Sequence, residues 1–278
     1  IEKKKEIELL QILLESEMFI LLPEDELYIR GPYNRRELRV GGFFCVAQKK
    51  DKDRLIYDRR PRNSTERRLT WLQLPHGSQL IQIVLDHHET VRGSIQDLRN
   101  MFYCLSQDPG AERFNPVGRR MTNKEFPHLT PGIAYRAVLR VQGMGDGNGP
   151  DIGQLTHEYL LRTKQCMNES EVIRYDKVVP ASACWEGVYI DDRLIVQKLP
   201  KSSLHDLSRH WRDVQLVEDG TQAYEESHGI ELATDKLEYY QERFQAWGTQ
   251  VFGDSGKVSS PTSRVSAIAG TFSCALKN

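Results

Sequence analysis

A chain of 278 residues, 39% hydrophobic and 28% charged, carries enough apolar material for one large or two modest cores, which excludes a disordered polypeptide. The longest early apolar run, Met18–Leu22, is far short of a bilayer span, so no membrane association is expected. A net charge of −1 does not exclude nucleic acid, because charge distribution matters more than its sum.

The start, Ile1-Glu2-Lys3-Lys4-Lys5-Glu6, is charged, lacks signal-peptide architecture and reads as an excised piece of a longer protein. Cysteines at 45, 104, 166, 184 and 274 are scattered without a CxxC pair. That argues against a zinc ribbon or a disulfide framework and for a reducing, intracellular compartment, cytoplasmic or nuclear.

In chain order, Glu6 to Glu15 has helical period, with Ile7, Leu10 and Leu14 on one face. Residues 40–60 read as two strands, Gly42 to Ala47 and Arg54 to Asp58, joined by a lysine-rich turn. From Lys49 to Arg68 nine basic residues face four acids, which makes this hairpin a candidate phosphate-facing surface. Ser94 to Asp97 is strand-like and ends in a carboxylate. Residues 106–133, with Pro109, Pro116, Pro127 and Pro131, predict an irregular connection. Gly143 to Gly149 predicts a flexible loop. A helix follows, with Pro150 in its first turn and Ile152, Leu155, Tyr159 and Arg162 at helical spacing; this helix is expected to lie under or beside a sheet. Thr163 to Pro180 looks like an insertion.

Gly187-Val188-Tyr189-Ile190-Asp191-Asp192, followed by Leu194-Ile195-Val196, reads as a β-hairpin whose turn carries two acids. Strands ending in Asp97 and entering Asp191 are expected to lie side by side and gather three carboxylates. Such hard oxygen donors suit Mg²⁺, and two ions about 3.5 to 4 Å apart would clamp an in-line phosphoryl displacement. If the backbone is extended, Asp192 points away from Asp191, which makes it the weaker ligand.

The order of these motifs resembles the polymerase region of a reverse transcriptase of the kind carried by retrotransposon polyproteins, from about Phe43 to Val251. The resemblance implies an α+β right-hand polymerase core: an N-terminal helical or extended segment (1–39), fingers (40–93 with part of 106–140) and a palm (94–251) with an antiparallel sheet backed by helices. Residues 252–278 would begin a connection or thumb, the thumb being largely missing. It implies that Lys49 or Lys50 and Arg54 hold the triphosphate, that Asp97, Asp191 and Asp192 bind two Mg²⁺ ions (Mn²⁺ in their place), and that Phe102 crowds a ribose 2′-hydroxyl, selecting dNTPs. Gly145 to Gln154 would position nucleotide and template. Lys236 would sit near the leaving pyrophosphate as a general acid, and Trp247-Gly248 would belong to a primer-gripping hairpin. Implied partners are an RNA or DNA template with primer, dNTPs and other domains of a longer polyprotein.

The chain departs from this pattern where the family has Pro-Gln-Gly. Gly143-Met144-Gly145 occupies that place, Met144 lacks the amide of Gln, and Gln142, two residues upstream, does not obviously replace it. With the truncated ends, that substitution keeps open a catalytically decayed or domesticated relative that binds nucleic acid without polymerising.

Overall fold

The computed structural model describes residues 2–49 and 52–261. In chain order they form α1 (Lys3–Glu15), β1 (Phe19–Pro23), β2 (Ile29–Arg30), β3 (Arg36–Glu37), β4 (Gly42–Lys49), β5 (Lys52–Asp58) and α2 (Arg60–Asn63). β6 (Glu89–Asp97), α3 (Met101–Cys104), β7 (Pro116–Met121), β8 (Tyr135–Leu139) and α4 (Gly149–Arg162) follow. The remainder is β9 (Cys184–Tyr189), β10 (Asp192–Pro200), α5 (Arg212–Glu226), β11 (Glu238–Gln241), β12 (Arg243–Ala246), β13 (Thr249–Phe252) and β14 (Lys257–Ser259).

Two compact units result: Ile1–Thr70 with Asn100–Gly153, and Trp71–Arg99 with the chain from Gln154 onward. The chain passes between them three times. No helix among the described residues is long and apolar enough to cross a membrane.

In the first unit, β1, β8 and β7 form an antiparallel sheet, and β4 pairs with β5 as a hairpin. Leu10 and Leu13 of α1 pack with Phe19, Val117, Met121, Ala137 and Leu139. The irregular connection expected over 106–133 in fact contains β7. Pro116 opens that strand, a position where proline costs no ladder bond.

The second unit is built on an antiparallel sheet of order β11-β6-β10-β9. Side chains alternate across it, and its two faces differ in kind. One face carries Val91, Leu194, Val196 and Trp185, packed against Leu80, Phe244 and Val251. There the hairpin β12–β13 presses aromatic rings into glycine hollows: a Cβ on Gly93 would meet Phe244 at 2.6 Å, and one on Gly187 would meet Trp247 at 2.6 Å.

The other face is buried yet charged. Arg92 reaches Asp213 of α5 through two bonds of 2.7 and 3.0 Å and donates to the carbonyls of Leu204 and Asp206. Arg193, fully buried, pairs with Glu186 at 2.6 Å and donates to Gln96 and to the Leu216 carbonyl of α5. Buried charges persist only when paired and hydrogen-bonded to this degree.

α4 obeys the same logic and lies beside the sheet through its polar face. Leu155 and Tyr159 are 40% and 74% exposed, whereas Gln154, His157, Glu158 and Leu161 are buried. The buried polar groups find partners: Gln154 bonds Val188 and Ile190, and Glu158 meets Arg174 at 3.1 Å.

Candidate functional site

The antiparallel register of β6 and β10 sets Asp97, the last residue of one strand, directly opposite Asp192, the first residue of the other. Around them the backbone is closed: the Leu98 N–H donates to the Asp191 carbonyl at 3.0 Å, and the Ala233 N–H to the Asp97 carbonyl at 2.8 Å. Lys236, ending a short 3₁₀ turn, donates from Nζ to Asp97 Oδ2 at 2.6 Å.

Burial, then the hydrogen bond with Asp97 and the charges of Asp191 and Asp97, pushes the Asp192 carboxyl up to about 7, with Lys236 opposing. For Lys236, burial pulls the ammonium down. Its bond to Asp97 and the charges of Asp97, Asp192 and Asp191 outweigh that and hold it above the ordinary lysine range. A lysine so held stays cationic at neutral pH, the form that balances the acids' charge and carries a proton.

The two neighbouring acids differ in their place in the hairpin. Asp191 occupies the turn, outside the strand, so strand alternation does not govern its direction. Asp192 is the acid whose side chain meets Asp97. Arg193, one residue further, points to the opposite face, where it donates to Glu186 and Gln96.

The turn itself is Ile190-Asp191, and Ile190 has φ +60°. A β-branched residue in the left-handed region costs about 1–3 kcal/mol and persists only where its surroundings impose it. α4 supplies that hold. Gln154 Oε1 accepts the Ile190 N–H at 2.7 Å, and His157 Nδ1 lies 2.8 Å from the Ile190 carbonyl. Gln154, expected to position nucleotide or template, is thus spent on the acid-bearing turn.

The other expected nucleotide-binding residues belong to the first unit. Lys49 ends β4, Arg54 is exposed on β5, and Lys50 lies outside the described residues. Much of the basic run is already neutralised: Arg59 is buried against Glu66 and Asp146, Arg60 pairs with Asp58, and Arg62 with Glu66.

The glycine-rich loop is fastened rather than flexible. The Met144 carbonyl accepts from the Tyr57 N–H at 2.8 Å, and the Gly145 carbonyl from Asn63 Nδ2 at 2.8 Å. At Gly145, φ is +120° and a Cβ would stand 1.9 Å from the Tyr57 carbonyl oxygen, so only glycine fits. Phe102, on α3, and the Gln142 side chain both border Gly149, at 3.5 and 3.2 Å from where its Cβ would be.

Gln142 is the residue that sequence reasoning passed over. It is 4% exposed, and its Nε2 has no hydrogen-bond partner among the described residues. The signal was Gln142-Gly143 itself, a Gln-Gly pair just upstream of Met144.

Trp247 and Gly248 form a two-residue hairpin turn, both with positive φ, between β12 and β13. The Trp247 ring lies over Gly187, which fixes this hairpin to β9 close to the acid-bearing turn. Among the described residues, the ligating side chains whose donor atoms all fall within 4.8 Å of one another are Asp86, His88 and Glu89, at the far end of β6. That group is largely exposed, and Glu89 already caps the Asp86 N–H.

No protein-family model matches this chain, and no curated protein does. The fold is a mixed α+β arrangement of antiparallel sheets resembling part of a reverse transcriptase. It matches the structure of a foamy viral protease-reverse transcriptase in complex with double-stranded DNA, with a TM-score of 0.58 and 14% identity. The match covers 90% of this chain and 33% of that one, so the chain spans about a third of the length of that protein.

Proposed function

We propose that the chain is the fingers and palm of an RNA-directed DNA polymerase of retrotransposon type, transferring deoxynucleotides to a primer 3′-hydroxyl. The observation that supports this most is the strand register that sets Asp97 against Asp192, with the Asp191 charge beside them and Asp192 pushed up to about 7. Carboxylates that resist joint ionisation and offer only oxygen donors fit a hard divalent cation, Mg²⁺ or Mn²⁺, one or two ions in number. When bound, such a cation supplies Lewis acidity at the primer hydroxyl and the triphosphate.

The chain's own residues provide the rest. Asp97, Asp191 and Asp192 are assigned to the cation, with Asp192 in contact with Asp97 and close to the Asp191 charge. Lys236, kept cationic, gives up Asp97 and offsets the negative charge that accumulates on the departing pyrophosphate. Phe102 excludes a 2′-oxygen, and the unpartnered amide of Gln142 donates to the nucleotide or template base, a contact Met144 cannot make. Arg54 and Lys49 are assigned to the triphosphate, and the hairpin carrying Trp247 and Gly248 to the primer end.

Primer extension on an RNA template with Mg²⁺ and dNTPs tests this reading, and Asp97→Asn and Asp192→Asn should each abolish it. Salt-sensitive nucleic-acid binding by the intact protein without nucleotide incorporation would instead establish a domain that has lost turnover.

A further inference from the structure

His157 is completely buried, and its two ring nitrogens meet neutral groups: the Ile190 carbonyl at Nδ1 and the Tyr224 hydroxyl at Nε2, both at 2.8 Å. These partners fix the tautomer. A carbonyl can only accept, so Nδ1 carries the hydrogen and Nε2 accepts from the Tyr224 O–H. Tyr224, on α5, is 2% exposed and lies beside the Arg193 guanidinium, which is anchored to Glu186. A continuous buried chain of polar groups thus runs from the acid-bearing turn through α4 to α5.

Ile190 is the one residue between the end of β9 and Asp191, and it has no intrinsic preference for positive φ. Both of its backbone polar groups are held by α4, one turn apart, through Gln154 and His157. Rotation at Ile190 would swing Asp191 and shift Asp192 against Asp97.

We propose that His157, oriented by Tyr224, is a positioning residue for the acid pair: it locks Ile190 in its left-handed conformation and thereby sets the directions of Asp191 and Asp192. The inference rests on the polymerase reading for its kinetic consequence but not for its structural one. Nucleotide and template contacts are made elsewhere, so loss of the lock lowers kcat and leaves the nucleotide KM in place.

Four variants of the full chain test it, each checked for folding by circular dichroism, with single-nucleotide extension and Mn²⁺ binding by electron paramagnetic resonance as readouts. His157→Leu fills the space without a donor and should lower kcat by about 30-fold or more, with KM changed less than about twofold, and weaken Mn²⁺ binding. His157→Asn places an amide N–H where Nδ1 was and should stay within about fivefold of the parent, because it keeps the bond to Ile190. Tyr224→Phe, nearly isosteric, should lower kcat by about fivefold. Adding Ile190→Asn, a residue that tolerates positive φ, to His157→Leu should restore at least about fivefold.

Equal kcat and equal Mn²⁺ binding in folded His157→Leu, or no gain from Ile190→Asn, would overturn the inference. Should His157→Leu not fold, Tyr224→Phe and His157→Asn decide: parental activity in the first, or collapse of activity in the folded second, would overturn it equally. A parent protein that extends no primer would refute the polymerase reading, while the Mn²⁺ comparison would still judge the lock.

Discussion

Asp192→Asn separates a site built for a cation from a pair of acids that merely happen to be close. In the cation-free protein the Asp192 carboxyl is raised from 3.8 to about 7, chiefly by burial and by its contact with Asp97. A carboxyl raised on folding contributes stability that is fully present below about 3.8 and is lost as pH rises through about 7. At about 1.4 kcal/mol per tenfold, the displacement sets a ceiling of roughly 4 kcal/mol. Asp192 is only partly buried, so solvent screening reduces this to about 1–2 kcal/mol. Asparagine removes the charge and keeps a donor for Asp97. The cation-free variant at pH 8 should therefore be more stable than the parent by that amount, about 2–8 °C in Tm for a chain of this size. Mg²⁺ or Mn²⁺ should stabilise the parent and leave the variant unmoved, since only a ligand that prefers the native state raises Tm. Thermal melts with chelator and with each cation, from pH 5 to 8, give the whole comparison. An Asn variant less stable than the parent in chelator, or a parent indifferent to both cations, would refute the reasoning.

Glu186→Gln should cost about 3–5 kcal/mol in urea unfolding, because it leaves Arg193 buried with its charge uncompensated; a loss under about 1 kcal/mol would contradict the pairing. Gly187→Ala forces a methyl against Trp247 and should destabilise by about 1–3 kcal/mol, with the cost shrinking when Trp247→Leu is added in a double-mutant cycle. Gln142→Leu should leave stability unchanged or raise it by about 1 kcal/mol, since an unpartnered buried amide is removed, while raising the nucleotide KM several-fold in primer extension. A Gln142→Leu protein that loses stability and keeps its KM would show that the amide serves packing.

The hairpin of β4 and β5, the strand ending in Asp97, the helix α1 and the turn with its acids were all legible in the sequence. Each is written in a local alternation or a local turn residue. Orientation was not legible wherever the partner lies far along the chain. The spacing of Leu155 and Tyr159 marked a helix beside the sheet but did not show that Gln154 and His157 face inward, where Val188, Ile190 and Tyr224 satisfy them from 33 to 67 positions away. Arg193 follows two acids in the sequence, yet it is buried because Glu186, Gln96 and the carbonyl of Leu216 converge on it from three elements. The basic run after Lys49 suffered the same loss in smaller steps, as Asp58, Glu66 and Asp146 took up its arginines.

That Asp192 stands opposite Asp97 comes down to phase. Side-chain alternation along a strand is strict, so two adjacent acids in an extended segment must face opposite ways; which of them faces Asp97 depends on where the strand begins. A two-residue turn places that beginning at Asp192 and pairs it with Tyr189, and the same register carries Asp192 onto Asp97. The turn stays two residues long only while Ile190 adopts a conformation its own side chain disfavours. The placement of the acids is therefore decided by α4, through Gln154 and His157, and nothing in the residues flanking the hairpin announces it.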